Sequence, residues 1–215
     1  MSSTTTGTRS TEQLAAWQGP FGDAYTDRNR IDWRVRYEAF RAILADLAIR
    51  RVLEVGCNRG HNLAALAEWL GPEAEITGVE PNDHALELAR RAHPRVKAVS
   101  GTAFDLPFED GHFDLVFTSG VLIHVAPDDL PAALGEMHRT SRRYLLAIEY
   151  GAEVETMVPY RGRDDLLFKR DFPAAFTDRF ADLRLSGSGE WNWSGEEATW
   201  WLMEKRQAGR DGGRG

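Results

Sequence analysis

Two carboxylates and two glycines stand at spacings suited to binding a charged small molecule. Glu54 closes a short apolar run, and Gly56 and Gly60 bracket the turn that follows it. Glu80 closes a second apolar run, 24 positions after Gly56. A carboxylate about 20 positions beyond a glycine turn, at the tip of the next strand, is where ribose hydroxyls are held. These residues therefore predict a nucleoside-binding crevice, with Glu80 on the ribose and Asn82 close by.

The glycine turn also distinguishes between cofactors. A dinucleotide site has the spacing G-x-G-x-x-G, which lets backbone amides and a helix N-terminus hold a pyrophosphate. Here the middle glycine is absent, since Cys57 and Asn58 follow Gly56, and the Glu54 carboxylate would repel a pyrophosphate. Asn58 tolerates a positive φ, so it can keep the turn. S-adenosylmethionine has no phosphate and carries a sulfonium and an ammonium, so it fits better. The alternative is an ordinary strand–helix turn with incidental glycines.

The elements that position these residues alternate along the chain. Short apolar runs bounded by turn residues predict buried strands, and apolar residues at helical spacing predict helices between them. The predicted strands are 52–55, 75–80, 96–99, 113–118 and 143–149, and the predicted helices are 63–70, 83–92 and 130–137. This alternation is typical of an α/β fold.

Further elements flank this alternating series. The 4-3-4-3 spacing of Trp33, Tyr37, Phe40, Leu44 and Leu47 predicts an amphipathic helix that leaves Arg34, Arg36 and Arg41 off its apolar stripe. Towards the other end, 172–180 has a helical pattern. Two closing strands follow at 183–185 and 199–203, and we expect a loop holding Trp191 and Trp193 to join them.

A loop after the third strand is suited to an adenine ring. Gly101 is followed by Thr102, Ala103 and Phe104, and a loop beyond the third strand lies beside the crevice, where backbone groups can contact an adenine edge. The ring of Phe104 could pack on the base. Alternatively, Phe104 and the apolar residues after it simply bury themselves under the loop.

His124 is the candidate catalytic residue. It falls just past the fourth strand, where ligands bind in open α/β sheets, and the other five histidines lack such a placement. Histidine is the side chain best matched to proton removal near neutral pH. A structural, hydrogen-bonded histidine is the alternative.

The aromatic segment 17–29 has two interpretations. It is dense in glycine and charge, and we expect it to be too irregular for a long element. In one interpretation it is a lid over the cofactor, with Tyr25, Arg28 and Asn29 facing inward. In the other it is a loop that caps the core, with Trp17 and Phe21 as plugs.

A polar segment after the fifth strand is the candidate acceptor side. Glu149 ends that strand, Tyr150 follows it, and residues 150–170 break the strand–helix alternation. Insertions at this point can wall the pocket opposite a cofactor, and the cationic side chains available to hold an anionic or hydroxylated substrate are Arg161, Arg163, Lys169 and Arg170. A solvated loop is the alternative.

Composition bounds the class of protein. The chain has 215 residues, 42% of them hydrophobic, which favours one domain with a full core. A net charge of −7 without a concentrated basic run argues against a nucleic-acid surface. A lone cysteine, no signal-type segment and no long apolar run predict a cytoplasmic protein without membrane spans, and no metal site is indicated. We expect a single domain over 11–206, a disordered tail over 1–10 and a flexible tail over 207–215.

Seven stretches resemble the class I S-adenosylmethionine-dependent methyltransferases, and more closely the pseudaminic acid biosynthesis-associated methylases. They are FGDAYTDRN (21–29), LEVGCNRGHN (53–62), GVEPN (78–82), FDLPF (104–108), FDLVFTSGVLIHVAPDDLP (113–131), YRGRDDLLFKRDF (160–172) and ATWWLMEK (198–205). The stretches at 53–62 and 160–172 are specific to the smaller group. The resemblance implies a Rossmann-like fold: a seven-stranded, mostly parallel sheet with an antiparallel last strand, in three αβα layers.

The resemblance also implies the parts of S-adenosylmethionine that the residues contact. Glu54, Gly56 and Gly60 would hold the methionine part, Glu80 the ribose, and Ala103 with Phe104 the adenine. Many relatives place an Asp after the glycine of the adenine loop, whereas this chain has Thr102 there.

The expected activity is methylation of a small polar acceptor that is sugar-like, amino-acid-like or a natural-product intermediate. A hydroxyl or ammonium acceptor would need His124 as base, and a carboxylate acceptor would instead rely on Arg161 and Arg170. A guanidine acceptor would favour Glu149, with Tyr150 beside it. A catalytically silent binding or scaffold protein of the same fold is an alternative, and a nicotinamide-dependent oxidoreductase is a weaker one.

Overall fold

The computed structural model describes residues 9–193 and 196–206. Most of the predicted disordered tail (1–8 of 1–10) and the whole predicted flexible tail (207–215) lie outside these residues. Arg9 is described, and its Nε lies 2.7 Å from Asp129 Oδ1.

Helices and strands alternate through the middle of the chain. In order they are α1 (Glu12–Gln18), α2 (Pro20–Arg28), a first 3₁₀ turn (Trp33–Arg36), α3 (Tyr37–Leu44), β1 (Arg51–Val55), α4 (His61–Leu70), β2 (Glu75–Glu80), α5 (Asp83–Ala92), β3 (Lys97–Ser100), β4 (Phe113–Ser119), a second 3₁₀ turn (Leu122–His124), α6 (Leu130–Thr140), β5 (Ser141–Glu149), β6 (Thr156–Tyr160), β7 (Arg163–Lys169), α7 (Phe172–Thr177), β8 (Leu183–Trp193) and β9 (Glu196–Lys205).

One seven-stranded sheet organises the molecule, in the order β3-β2-β1-β4-β5-β9-β8. The pairs among β1 to β5 are parallel, and β9 runs antiparallel to both β5 and β8. The predicted mostly parallel sheet with an antiparallel last strand is therefore confirmed. The strand order reverses between β1 and β4, and ligands bind at such a point, outside the carboxyl ends of the strands.

Both faces of the sheet are covered by apolar side chains. Phe40 from α3 and Leu66 from α4 pack with Phe117 of β4 on one face. Met137 from α6 and Phe172 from α7 pack on the other face. Burying one large apolar side chain contributes about 1.5–3 kcal/mol to the free energy of folding. These two clusters therefore stabilise the sheet that positions the strand ends. Among the described residues, no helix combines the length and apolar character needed to cross a bilayer.

The N-terminal segment is more regular than predicted. The expectation of an irregular segment over 17–29 is wrong, because α1 and α2 cover nearly all of it. Thr11 Oγ1 accepts a hydrogen bond from the Leu14 amide at 3.0 Å and so caps α1. Pro20 occupies the first turn of α2, where its missing N–H has no cost. Gly19 and Pro20 lie at the junction of the two helices, and their presence is why the sequence pattern favoured a loop.

The predicted amphipathic helix is largely present. It begins as a 3₁₀ turn and continues as α3, with Phe40 and Leu44 fully buried. Leu47 lies beyond its end. The segment after β5 is a separate hairpin of β6 and β7, which the sequence did not predict.

The C-terminal loop prediction is wrong. Trp191, expected in a loop, lies within β8, is buried and has its ring centroid 5.0 Å from that of Phe40. The glycines of this segment suggest a loop, but Gly189 is needed for packing. A Cβ there would lie 2.8 Å from Trp200 Nε1, so only glycine allows the indole to cross the strand.

Candidate active site

A cavity of about 310 Å³ lies at the carboxyl ends of the central strands. Its floor is formed by the residues at the tips of β1, β2 and β4 and by the loop after β3. Residues from α1, α2 and the β6–β7 hairpin form its roof. The volume is at the lower end of the range for small-molecule sites, about 300–1,000 Å³.

The turn after β1 depends on left-handed backbone conformations. Gly56, Asn58 and Gly60 have φ angles of 76°, 45° and 75°. The amides of Gly56 and Cys57 donate to Val79 O at 2.8 and 3.0 Å, which fastens the turn to β2. Asn58 adopts the positive φ that its residue type tolerates. The turn therefore brings backbone close to the cavity without a middle glycine.

Glu80 is held rigidly at the tip of β2. Its Oε2 accepts a hydrogen bond from the Asn58 amide at 2.7 Å, and its Oε1 accepts one from the Asn82 amide at 2.9 Å. Burial raises the pKa of Glu80 to about 7, although both amide hydrogen bonds favour the ionised form. The side chain is thus a fixed acceptor with lone pairs to spare for hydroxyl groups in the cavity.

Glu54 is the most strongly perturbed carboxyl of the site. Its Oε1 accepts a hydrogen bond from Asn62 Nδ2 at 2.5 Å, and Asn62 Oδ1 accepts one from Arg36 Nη1 at 2.5 Å. Its Oε2 is buried and has no hydrogen-bond partner among the described residues. Burial raises the pKa of Glu54 to about 8, against the opposing effect of Asn62 and Arg36. A cationic group in the cavity would satisfy Oε2 and favour the ionised carboxylate.

Arg36 and Asn62 are site residues that the sequence reasoning missed. Arg36 is 7% exposed and lines the cavity, although the predicted helix placed it off the buried stripe. The 3₁₀ winding of 33–36, with three residues per turn, changes the direction of its side chain from that in an α-helix. The signal for Asn62 was its place in the first turn of the helix after the glycine turn.

His124 lies on the second 3₁₀ turn and lines the cavity. Its Nδ1 hydrogen-bonds the Leu166 carbonyl of β7; because a carbonyl only accepts, Nδ1 carries the proton and Nε2 is the basic atom. Its ring centroid lies 4.5 Å from that of Trp17 and 5.1 Å from that of Tyr160. Burial lowers the pKa of His124 to about 4, so the ring is neutral at pH 7.

The residues predicted for the acceptor divide into two groups. Tyr150 and Arg161 line the cavity, whereas Glu149, Lys169 and Arg170 lie outside its lining. Arg170 Nη2 donates to Val125 O at 3.0 Å, and Lys169 Nζ lies 5.8 Å from the Tyr150 ring centroid.

Glu149 lies beneath the turn that carries His124. Its Oε1 accepts hydrogen bonds from the amides of Val121 and Leu122, both at 3.1 Å, and its Oε2 accepts one from Ile123 at 3.3 Å. Burial raises the pKa of Glu149 to about 7. In this position the carboxyl group fixes the backbone that leads to the histidine.

The roof helices are fastened directly to the cavity floor. Asn82 Nδ2 donates to Trp17 O at 3.0 Å and to Asp23 Oδ1 at 2.8 Å. Asn58 Nδ2 donates to Thr26 Oγ1 at 2.8 Å. Asn82 therefore connects α1 and α2 to the tip of β2 and lies outside the cavity lining.

Most of the residues predicted for the cofactor come together around the cavity. Those in its lining are Glu54, Gly56, Cys57, Asn58, Glu80, Ala103, Phe104, Tyr25 and Asn29. Gly60, Asn82 and Thr102 lie outside it, and Thr102 Oγ1 accepts a hydrogen bond from the Phe104 amide at 3.2 Å. The lining includes Trp17, Ser119 and Tyr160, which were not predicted for the site. Among the described residues, no group of His, Cys, Asp and Glu side chains could hold a metal ion.

Comparison with known proteins agrees with this geometry. Residues 52–143, from β1 into β5, match a family model described as "Methyltransferase domain". A demethylmenaquinone methyltransferase of Staphylococcus aureus is 30% identical over 167 residues. The alignment covers 75% of this chain and 64% of that relative, so this chain spans less than two thirds of the relative's length.

Solved structures share the fold at low sequence identity. The 1,6-didemethyltoxoflavin-N1-methyltransferase of Burkholderia thailandensis, with bound 1,6-didemethyltoxoflavin and S-adenosylhomocysteine, superposes with a TM-score of 0.65 and 19% identity, over 90% of this chain and 86% of that one. Magnesium protoporphyrin IX methyltransferase of Synechocystis, with bound S-adenosylhomocysteine, has a TM-score of 0.66 and 13% identity, over 89% and 97% of the two chains. The chain therefore has the Rossmann-like class I methyltransferase fold.

Proposed function

We propose that this protein is an S-adenosylmethionine-dependent methyltransferase acting on a small polar metabolite. The observation that carries the proposal is the pair of buried carboxyl groups, Glu54 and Glu80, at the tips of adjacent strands on the floor of one cavity. Carboxyl groups in this position do not complement a pyrophosphate, and they suit a ligand with an ammonium group and ribose hydroxyls. The family match over 52–143 supports the same assignment.

The residues present fit the proposed cofactor at both ends. The buried Glu54 Oε2, which has no hydrogen-bond partner among the described residues, suits the ammonium of the methionine part. The Arg36 guanidinium, connected to Glu54 through Asn62, suits the methionine carboxylate. Glu80 would accept hydrogen bonds from the ribose hydroxyls. Ala103 and Phe104 line the cavity where the adenine would lie.

When bound, S-adenosylmethionine supplies a methyl group already activated by the sulfonium. The protein's contribution is to align the acceptor with that methyl group and to exclude water. His124 would accept at Nε2 the proton that a hydroxyl or ammonium acceptor loses when it is methylated. The Leu166 carbonyl keeps the Nδ1 proton in place, so the basic atom is available throughout.

Two observations narrow the range of possible acceptors. Tyr150 and Arg161 reach the cavity from the segment after β5, which is consistent with a sugar-like, amino-acid-like or natural-product acceptor. The specific motifs at 53–62 and 160–172 favour membership of the pseudaminic acid biosynthesis-associated methylases. The named relatives differ in acceptor, from a demethylmenaquinone to a porphyrin, so the fold alone does not select one.

The experiment is to measure formation of S-adenosylhomocysteine from S-adenosylmethionine with a panel of nucleotide-sugar, amino-acid and aromatic acceptors. The proposal predicts acceptor-dependent turnover that the His124→Ala variant loses. Binding of the cofactor without turnover on any acceptor would favour the silent scaffold protein instead. Failure to bind the cofactor would overturn the proposal.

A further inference from the structure

We propose that the roof side of the cavity is an acceptor subsite for a planar aromatic or conjugated molecule that carries a negative charge. This inference rests on the proposed function and narrows its acceptor. It is carried by two features of the lining, the aromatic rings contributed by the roof and the excess of arginine over carboxylate around them.

The aromatic rings form a continuous group in the roof. The ring centroids of Trp17 and Tyr25 are 5.2 Å apart, and the Trp17 ring lies 4.5 Å from His124. Tyr160 follows 5.1 Å beyond His124. Trp17 comes from α1, Tyr25 from α2, His124 from the second 3₁₀ turn and Tyr160 from the β6–β7 hairpin. All four side chains line the cavity. Rings at such separations offer flat apolar faces and edges to a flat ligand.

One buried donor in this group has no hydrogen-bond partner in the part of the chain that the structure describes. Trp17 Nε1 is buried and has no hydrogen-bond partner among the described residues. A buried indole N–H without a partner costs free energy, and a ligand oxygen would satisfy it. A ring whose oxygen substituent reached this N–H would therefore bind more favourably than a plain hydrocarbon ring.

The charge of the lining is opposite to that of the chain. Its cationic side chains are Arg28, Arg36, Arg59 and Arg161, and its only described carboxyl groups are Glu54 and Glu80, on the cofactor floor. The whole chain, in contrast, has a net charge of −7. Arg28 and Arg161 are exposed and lie on the roof side. Since the roof side of the described lining contains arginines and no carboxyl group, it selects for an anion.

Arg161 is held at the tip of the β6–β7 hairpin by backbone geometry. Arg161 and Gly162 both have positive φ angles, 51° and 81°, so the turn between the strands is tight. The Arg161 guanidinium lies 5.4 Å from the Tyr160 ring centroid. A planar anion that packs along the tyrosine would meet this cation at its edge.

The chemistry of His124 agrees with such an acceptor. A base with a low pKa removes a proton most readily from an acidic hydroxyl, such as a phenol or enol, because the proton transfer is then less uphill. A sugar hydroxyl is a poorer match for this base, and the polar groups of the described roof lining, such as Thr11, Asn29 and the tyrosine hydroxyls, include no carboxylate to bind several hydroxyl groups.

The test is calorimetry on protein saturated with S-adenosylhomocysteine, using four matched probes. They are 4-hydroxybenzoate, which is planar and anionic; 4-hydroxybenzamide, which is planar and neutral; 4-hydroxycyclohexanecarboxylate, which is anionic but saturated; and glucuronate, a sugar acid. The inference predicts that 4-hydroxybenzoate binds at least about 10-fold more tightly than each of the other three, as expected for one lost charged contact or ring contact.

If 4-hydroxybenzamide binds as tightly as 4-hydroxybenzoate, the subsite does not require a negative charge. If 4-hydroxycyclohexanecarboxylate binds as tightly, it does not require a planar ring. Either result would overturn the inference. Tighter binding of glucuronate, or no binding of any probe, would overturn the inference while leaving the proposed function standing. If S-adenosylhomocysteine itself does not bind, the proposed function fails and the inference fails with it.

Variants locate the subsite. Arg161→Gln should lower the affinity for 4-hydroxybenzoate about 10-fold, since it removes one charge-assisted contact. The affinity for 4-hydroxybenzamide should stay unchanged. Trp17→Leu should reduce the preference for the planar acid over the saturated one. Arg41→Gln is the matched control, because Arg41 is an exposed arginine on α3 outside the cavity lining. Unchanged probe affinity in the Arg161 variant, with normal S-adenosylhomocysteine binding, would contradict the inference.

Discussion

The floor and the roof of the cavity are built in different ways. On the floor, Glu54 and Glu80 project from strand tips, and Glu80 is fixed by two backbone amides. In the roof, Trp17 and Tyr160 belong to elements outside the seven-stranded sheet, and their rings pack against His124. The backbone of the sheet therefore determines the floor, whereas packing between separate elements determines the roof. A floor of this kind suits one invariant cofactor, and the roof is where an acceptor would be selected.

If floor and roof have these separate roles, floor variants should mainly lower cofactor affinity, and variants on the acceptor side should mainly lower turnover. The difference between the two effects should be largest for His124. His124→Ala should lower turnover about 10²- to 10⁴-fold, the range for loss of a general base. Affinity for S-adenosylhomocysteine, measured by calorimetry, should stay near normal. His112→Ala is the control, because His112 pairs with Glu75 at 3.2 Å and lies outside the cavity lining. Equal loss of cofactor affinity in the His124 variant would mean that His124 is structural.

On the floor, Glu80→Ala should have the opposite profile. Without the carboxylate that accepts hydrogen bonds from the ribose hydroxyls, the affinity for S-adenosylhomocysteine should fall about 100-fold, since hydrogen bonds to charged groups contribute about 1.5–3 kcal/mol each. Glu87→Ala, on the exposed face of α5, is the matched control, and thermal melting checks that both variants fold. Wild-type affinity in the Glu80 variant would place the ribose elsewhere.

Glu149 connects the two regions, because it belongs to the sheet but supports the histidine beneath the roof. Glu149→Gln keeps the shape but leaves one fewer acceptor oxygen for the amides of Val121, Leu122 and Ile123. We expect turnover to fall about 10-fold, since one amide hydrogen bond contributes about 0.5–1.5 kcal/mol. Cofactor affinity should change little. Loss of cofactor affinity with turnover preserved at saturation would show that Glu149 serves the floor instead.

The smallest predicted effect is a proton released from the floor on binding. Because its pKa is about 8, Glu54 holds a proton at pH 7 before a ligand binds. An ammonium beside Oε2 lowers that pKa, so binding should release on the order of one proton at pH 7 and progressively fewer as pH rises above 8. Calorimetry of S-adenosylhomocysteine in buffers of different ionisation enthalpy measures this number. Glu54→Gln should abolish the release; a wild-type protein that releases none would contradict the placement of the ammonium.

The sequence predicted the floor better than the roof for a physical reason. The spacing from Gly56 to Glu80 is set by one turn–helix–strand unit, so local periodicity places both ends of the crevice. The seven-stranded, mostly parallel sheet and its antiparallel last strand likewise follow from the resemblance of local motifs, and both features are confirmed.

The features that sequence reasoning missed, in the roof and elsewhere, depend on contacts between separate elements. Arg36 reaches Asn62 only because its turn winds as a 3₁₀ helix, which the 4-3-4-3 spacing does not reveal. Trp17 reaches His124 only after Asn82 has fastened α1 to β2, an interaction across 65 positions. Gly189 resembles a loop residue until Trp200 lies across it. None of these contacts leaves a local pattern.

The most direct test of the account is calorimetry of the purified protein with S-adenosylmethionine and, separately, with NADH. The account predicts that S-adenosylmethionine binds and NADH does not, because the floor has carboxyl groups where a dinucleotide needs a pyrophosphate cradle. Binding of NADH, or of neither compound, would contradict the central claim that the floor is built for the methionine and ribose of a methyl donor.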